Sequence, residues 1–129
     1  MNYQPNQLFQ LNAPSRDYPY ADVPQGDYEG TLIIDDLIPI RALFWIYGTN
    51  PGGDIGGTAI RDSQLNYQTG DISFTLPGFS HPLYLIPNKF FSGRFIFKRP
   101  IIPLQAYGEY FTVLGQKGIW NLTLNTKLH

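Results

Sequence analysis

Residues 119–128 read Ile119-Trp120-Asn121-Leu122-Thr123-Leu124-Asn125-Thr126-Lys127-Leu128. Trp120, Leu122, Leu124 and Leu128 share one parity, and Asn121, Thr123, Asn125 and Lys127 share the other. A repeat of two is that of a strand with one face buried and one face wet. Upstream, Tyr107 to Leu114 is a second β-type run, and Gly115-Gln116-Lys117-Gly118 between the two has the length and glycines of a hairpin loop. This end of the chain therefore predicts an antiparallel hairpin, with Trp120, Leu122 and Leu124 turned inward.

The same pattern recurs toward the N-terminus. Ile72, Phe74 and Leu76 alternate with Ser73 and Thr75, and Tyr28, Gly30, Leu32 and Ile34 alternate with Glu29, Thr31 and Ile33. Ile40 to Tyr47 is apolar on both parities except for Arg41, as in a strand covered on both sides. Leu83 to Ile86 makes a short strand between Pro82 and Pro87, and Phe91, Phe95 and Phe97 line one side of a run from Lys89 to Arg99. Ile55 to Ile60 and Gln64 to Tyr67 read as short strands or one bent strand. Gly48 to Thr58, rich in glycine, reads as a mobile loop at a barrel mouth.

No stretch of eleven residues carries a 3.6 period. About eight short strands with hairpin-length connections predict an all-β fold, an antiparallel meander closed into a small barrel. Closure removes the open edges that a sheet with only 15% charged residues has few means to protect. In architecture alone the meander resembles lipocalin-like barrels, which implies nothing about function. At 129 residues the chain holds one domain. Residues 1–26, with Pro5, Pro14, Pro19 and Pro24 and three tyrosines, predict an extended Pro/Tyr-rich arm ahead of a single barrel over 27–129.

Charge and cysteine exclude several classes. Net charge is −1, so the basic excess of a nucleic-acid binder is missing, and nucleic acid is not an expected partner. The charge is nevertheless split. Residues 1–71 hold nine acids against three bases, and residues 72–129 hold six bases against one acid. With no cysteine, thiolate catalysis, iron–sulfur clusters and cysteine zinc sites are impossible, and neither a metal nor a cofactor is expected. The N-terminus lacks a basic and apolar leader, and no apolar run nears the ~20 residues of a membrane helix. The expected compartment is cytoplasmic, with no membrane partner.

The motifs with catalytic overtones each fall short. Gly78-Phe79-Ser80-His81-Pro82 sets a serine beside the only internal histidine, but adjacent residues of an extended segment point apart. Asp35 and Asp36 suit a turn. Gly52-Gly53-Asp54-Ile55-Gly56-Gly57 misses the dinucleotide-binding and phosphate-loop patterns. Lys89 to Arg99 interleaves bases with aromatics, as single-strand platforms do, yet lacks the small residues of an RNA-recognition core.

The reading that remains is a non-catalytic barrel binding a small apolar or aromatic ligand, or a protein partner. Phe44, Trp45, Tyr47, Phe95, Phe97 and Tyr110 are its expected ligand-binding residues. The alternative is a metal-free cyclase, isomerase or lyase using Glu29, Arg41, Glu109 and Tyr110 for acid–base work. A third reading is a structural subunit. The two-sided apolar strand and the arm together predict a homo-oligomer. A hollow interior favours the first two readings and a filled one favours the third.

Overall fold

The computed structural model describes residues 25–96 and 102–128, apart from the side chains of His81 and Tyr84. The described residues are all-β, in eleven strands. These are β1 (Gly26–Ile34), β2 (Ile40–Ile46), β3 (Gly52–Ile55), β4 (Thr58–Ala59), β5 (Arg61–Leu65), β6 (Asp71–Leu76), β7 (Phe79–His81), β8 (Tyr84–Ile86), β9 (Lys89–Ile96), β10 (Leu104–Phe111) and β11 (Lys117–Lys127). Nine form one antiparallel sheet in the order β4-β3-β2-β1-β11-β10-β9-β6-β5, and β7 and β8 form a separate small hairpin.

The connectivity forces the sheet to curl. β4 and β5 are its two outer strands, yet only Ile60 separates them in the chain. One residue spans a few ångströms, so β4 and β5 follow end to end and bring the two ends of the sheet together. They meet at a seam. The Leu65 N–H donates to the Thr49 carbonyl at 2.7 Å and the Ile60 N–H to Gly53 at 3.1 Å. Asn50 Nδ2 donates to Ser63 O at 2.8 Å, and the Ser63 hydroxyl donates to Pro51 O. The barrel is thus nearly closed, with ladders between all other neighbours, interrupted by register shifts at Glu29/Gly30 and Arg61/Gln64.

The interior follows the parity read from the sequence. Trp120, Leu122 and Leu124 of β11 are buried, while Asn121 and Thr123 between them are half-buried on the other face. Tyr28 and Leu32, Ala42, Phe44 and Ile46, Ile72 and Phe74, and Phe91 and Phe95 complete the core. Its centre is aromatic. Phe74 stacks on Phe91 at 4.8 Å, and Trp120 meets both edge-on, at 5.7 and 5.8 Å. Edge-to-face and offset contacts of this kind are the preferred ring geometries. The barrel's centre is thus packed with its own aromatic side chains.

The expected meander of about eight strands is borne out, with nine in the main sheet. One expectation needs correction: Gly48 to Thr58 is not a loop throughout, since it supplies β3 and the start of β4. Gly48, Gly56 and Gly57 take positive φ, as expected of turn glycines, whereas Gly52 and Gly53 serve packing. A Cβ on Gly52 would lie 3.0 Å from the Trp45 ring, and one on Gly53 would lie 2.6 Å from the Leu43 carbonyl oxygen. In addition, Phe79 to His81 pairs with Tyr84 to Ile86, so the short strand between the prolines is half of a hairpin. β1 starts at Gly26, and residues 1–24, on which most of the arm falls, lie outside the described residues.

Candidate binding surfaces

The residues expected at a ligand site are divided between the two faces of the wall. Phe44 and Phe95 are in the core, and Phe44 meets Phe74 edge-on at 5.6 Å. Trp45 and Tyr47 point outward and are 40% and 50% exposed. Tyr110 is buried, and its hydroxyl donates to Asp35 Oδ2 at 2.6 Å. That bond, then burial, pushes the Tyr110 pKa up to about 12. Phe97 lies outside the described residues.

The acid–base candidates are likewise dispersed. Glu29 accepts a 2.7 Å hydrogen bond from Arg41 Nε in an exposed ion pair. Glu29 sits opposite Thr126 of β11, whereas Glu109 sits opposite Ile119, seven residues along the same strand. At 3.3 Å per residue that offset alone is about 23 Å. Glu109 and Tyr110 are neighbours on β10 and face opposite sides. These four do not form one constellation. Among the described residues no group of three His, Asp or Glu could hold a metal, and no helix is long and apolar enough to cross a membrane.

Two surfaces stand out instead. The first is one end of the barrel. The β1–β2 connection bears Leu37 and Ile38, exposed by 70% and 80%, and the β10–β11 connection bears Val113 and Leu114, exposed by 79% and 59%. Asp35 holds these two connections together. Its Oδ1 accepts the Ile119 N–H at 3.0 Å, its Oδ2 accepts the Tyr110 hydroxyl, and its own N–H donates to Ile119 O at 2.8 Å. Asp35 and Asp36 can serve there because both take positive φ, 55° and 56°, and the Leu37 N–H closes the turn on Ile34 O at 3.0 Å. Consecutive left-handed residues make a tight primed turn, and aspartate tolerates that conformation better than most side chains. No charged residue occurs in 37–39 or 113–116.

The second surface is a trough of about 1370 Å³ on the outer face of β5, β6, β9 and β10. The ladders place Gln64 opposite Ser73, Ser73 opposite Ser92, and Ser92 opposite Glu109. These outward residues form one row across four strands, with two short serines in the middle as its floor. The next row on one side runs Asp71, Arg94, Tyr107. On the other side Phe90 and Phe111 are paired, ring centroids 5.1 Å apart. Arg94 Nε donates to Asp71 Oδ1 at 3.1 Å and the Thr69 hydroxyl donates to Asp71 Oδ2 at 2.8 Å. The Thr69 bond, then the Arg94 bond, hold the Asp71 carboxyl below its usual range, so it stays ionised and is not poised to give up a proton.

The floor is held from inside. Trp120 Nε1 donates to both Ser92 O, at 3.2 Å, and Glu109 O, at 3.0 Å. The indole reaches these carbonyls because its neighbours on the inner face are Gly93 and Gly108, opposite each other across β9 and β10. A Cβ on Gly93 would lie 2.7 Å from Trp120 Cζ2. Sequence reading did not find the trough, because its members come from four strands and only the register unites them. Comparison with protein-family models, with curated proteins and with solved structures finds no match for this chain.

Proposed function

We propose that this protein is a non-catalytic β-barrel that works through its outer surface, as a subunit that joins copies of itself through the apolar end. The supporting observation is the set Leu37, Ile38, Val113 and Leu114, four large aliphatic side chains exposed by 59% to 80% on two connections pinned together by Asp35. Exposed apolar clusters of this kind mark interaction sites. The absence of charge in 37–39 and 113–116 favours a partner surface that is itself apolar, which a second copy supplies. The aromatic core supports the same direction, since Phe74, Phe91 and Trp120 pack on one another inside the barrel.

Light scattering on the full chain tests this. The protein should be oligomeric at micromolar concentration, and Leu37→Ser with Val113→Ser should shift it to monomer without loss of fold, since both side chains are on the surface. A wild-type monomer at every concentration, or an oligomer indifferent to the double substitution, would overturn the proposal.

A further inference from the structure

We propose that the trough on the outer face is a carbohydrate-binding site, taking a neutral oligosaccharide laid across β5, β6, β9 and β10. A sugar offers hydroxyls that both donate and accept, and it offers C–H faces that pack on rings. The trough presents the matching groups. Ser73 and Ser92 on its floor carry hydroxyls that can do either. Gln64 at one end of the row, with Asn50, Asn66 and Gln68 beside it on the same rim, adds amides with a donor and an acceptor each. Glu109 at the other end adds an acceptor that has no ion-pair partner among the described residues.

Rings stand on both sides of the serine row. Tyr107, 54% exposed, lines the trough itself, and Phe111, 51% exposed and braced by Phe90, lines an adjoining hollow that shares Ser73 and Ser92. Apolar walls with a few placed polar groups are the usual make-up of a small-molecule site. The row from Gln64 to Glu109 crosses four strands, about 14 Å at the usual interstrand spacing, and suits a short oligosaccharide rather than a single sugar.

Charge and backbone rule against the other ligand classes. Arg94 is the one cation lining the trough, and it is engaged by Asp71, so with Glu109 the trough is net negative and repels phosphate chains. A peptide adding as a strand needs a free edge, but β6, β9 and β10 are paired on both sides, and the outer strand β5 already meets Thr49, Asn50 and Pro51 along its other edge. An apolar ligand would strip water from two serines, a glutamate and a glutamine without replacing their hydrogen bonds. Leu37, Ile38, Val113 and Leu114 do not line this site, so it does not need self-association through them.

The test is calorimetric titration of the full chain with four neutral hexasaccharides: β-1,4-glucose, α-1,4-glucose, β-1,4-xylose and β-1,4-N-acetylglucosamine. Heparin and oligothymidylate serve as polyanions. At least one neutral sugar should bind. Tyr107→Ala should weaken that binding tenfold or more, while Tyr107→Phe stays within threefold because the ring remains. Glu109→Gln should weaken it less than Tyr107→Ala, and Leu37→Ser with Val113→Ser should leave it unchanged. Near-ultraviolet dichroism of each variant confirms that the core is intact. Failure of all four sugars to bind overturns the proposal, as does sugar binding indifferent to Tyr107→Ala. Tighter binding of either polyanion than of any neutral sugar overturns it too.

Discussion

The Tyr110 hydroxyl and the Asp35 carboxylate, 75 positions apart in the chain, meet at 2.6 Å. The bond ties the turn after β1 to the strand two places away in the sheet, across β11. Asp35 uses its other oxygen on the Ile119 N–H, so one side chain fastens three strands at the end that carries Leu37 and Val113. Tyr110→Phe should therefore cost about 1.5–3 kcal/mol, the range for hydrogen bonds to charged groups. Urea unfolding at neutral pH measures it. A loss under 0.5 kcal/mol would mean that the contact merely decorates the turn.

The same pair predicts an alkaline weakness. Folding holds the Tyr110 proton more tightly, with the pKa raised from 10.0 to about 12 by the bond to Asp35 and then by burial. A pKa raised on folding stabilises the native state fully below the unfolded value, and the contribution fades as pH climbs to the folded value. Wild-type stability should thus fall between pH 10 and about 12. Tyr110→Phe, which has no proton to lose there, should fall less steeply. Tyr28 and Tyr67, both pushed up chiefly by burial, add loss of the same sign to both proteins. Urea midpoints at pH 8, 10 and 11 make the comparison, and parallel curves would refute the coupling.

Trp120 predicts a sharper penalty. Its ring packs edge-on against the stacked pair Phe74 and Phe91, and its N–H serves two strand carbonyls. Trp120→Ala should cost about 3–5 kcal/mol, as core aromatic deletions do. Gly93→Ala should be destabilising too, by about 1–3 kcal/mol, because the added methyl meets the indole and the Tyr107 backbone. Thermal melts and tryptophan fluorescence follow both. An unperturbed Gly93→Ala protein would show that the indole has room to move.

How much of this the sequence made legible varies with the residue. Trp120, Leu122 and Leu124 were readable because burial on one face of a strand writes itself as a period of two. Ala42, Phe44 and Ile46 turned inward as their parity required, and Trp45 and Tyr47 turned outward. Gly52 and Gly53 were misread, since glycine under an aromatic ring and glycine in a mobile loop look alike in one dimension. Asp35 read as an ordinary turn residue because its partners, Tyr110 and Ile119, are remote in the chain. The trough was invisible for the same reason: Ser73, Ser92 and Glu109 become neighbours only through the ladders of β6, β9 and β10.

The seam predicts where the barrel opens first. β1 and β11 share a ladder from Tyr28–Lys127 to Ile34–Trp120, interrupted by one bulge, whereas β5 is held across the seam by a single backbone bond, Leu65 to Thr49, and by the Asn50 and Ser63 side chains. Opening free energies track such local bonding. The Leu65 amide should exchange with deuterium much faster than that of Leu122. Asn50→Ala should lower stability by about 1 kcal/mol, the usual net worth of one hydrogen bond, and should speed exchange in β5 selectively. Equal acceleration in β11 would mean that seam and ladder open as one unit.

Deleting residues 1–24 separates two routes to self-association. Trp45 and Tyr47 are exposed on the outer face of β2, close to Gly26, where Trp45 is paired with Asp27 and Ile46 with Gly26. β1 therefore begins beside the second apolar patch, and Leu8, Phe9, Leu11, Tyr18 and Tyr20 give residues 1–24 apolar groups of their own. If copies join through this segment, a protein starting at Gln25 should dissociate to monomer. If they join through Leu37, Ile38, Val113 and Leu114, at the far end of β1 and β11, the truncated protein should keep its oligomeric state. The second outcome is expected, because those side chains are more exposed than Trp45, whose ring is partly covered by Gly52. Light scattering of the truncated protein, with and without Leu37→Ser and Val113→Ser, decides between them. A monomer produced by truncation alone would move the interface from the apolar end to the β2 face.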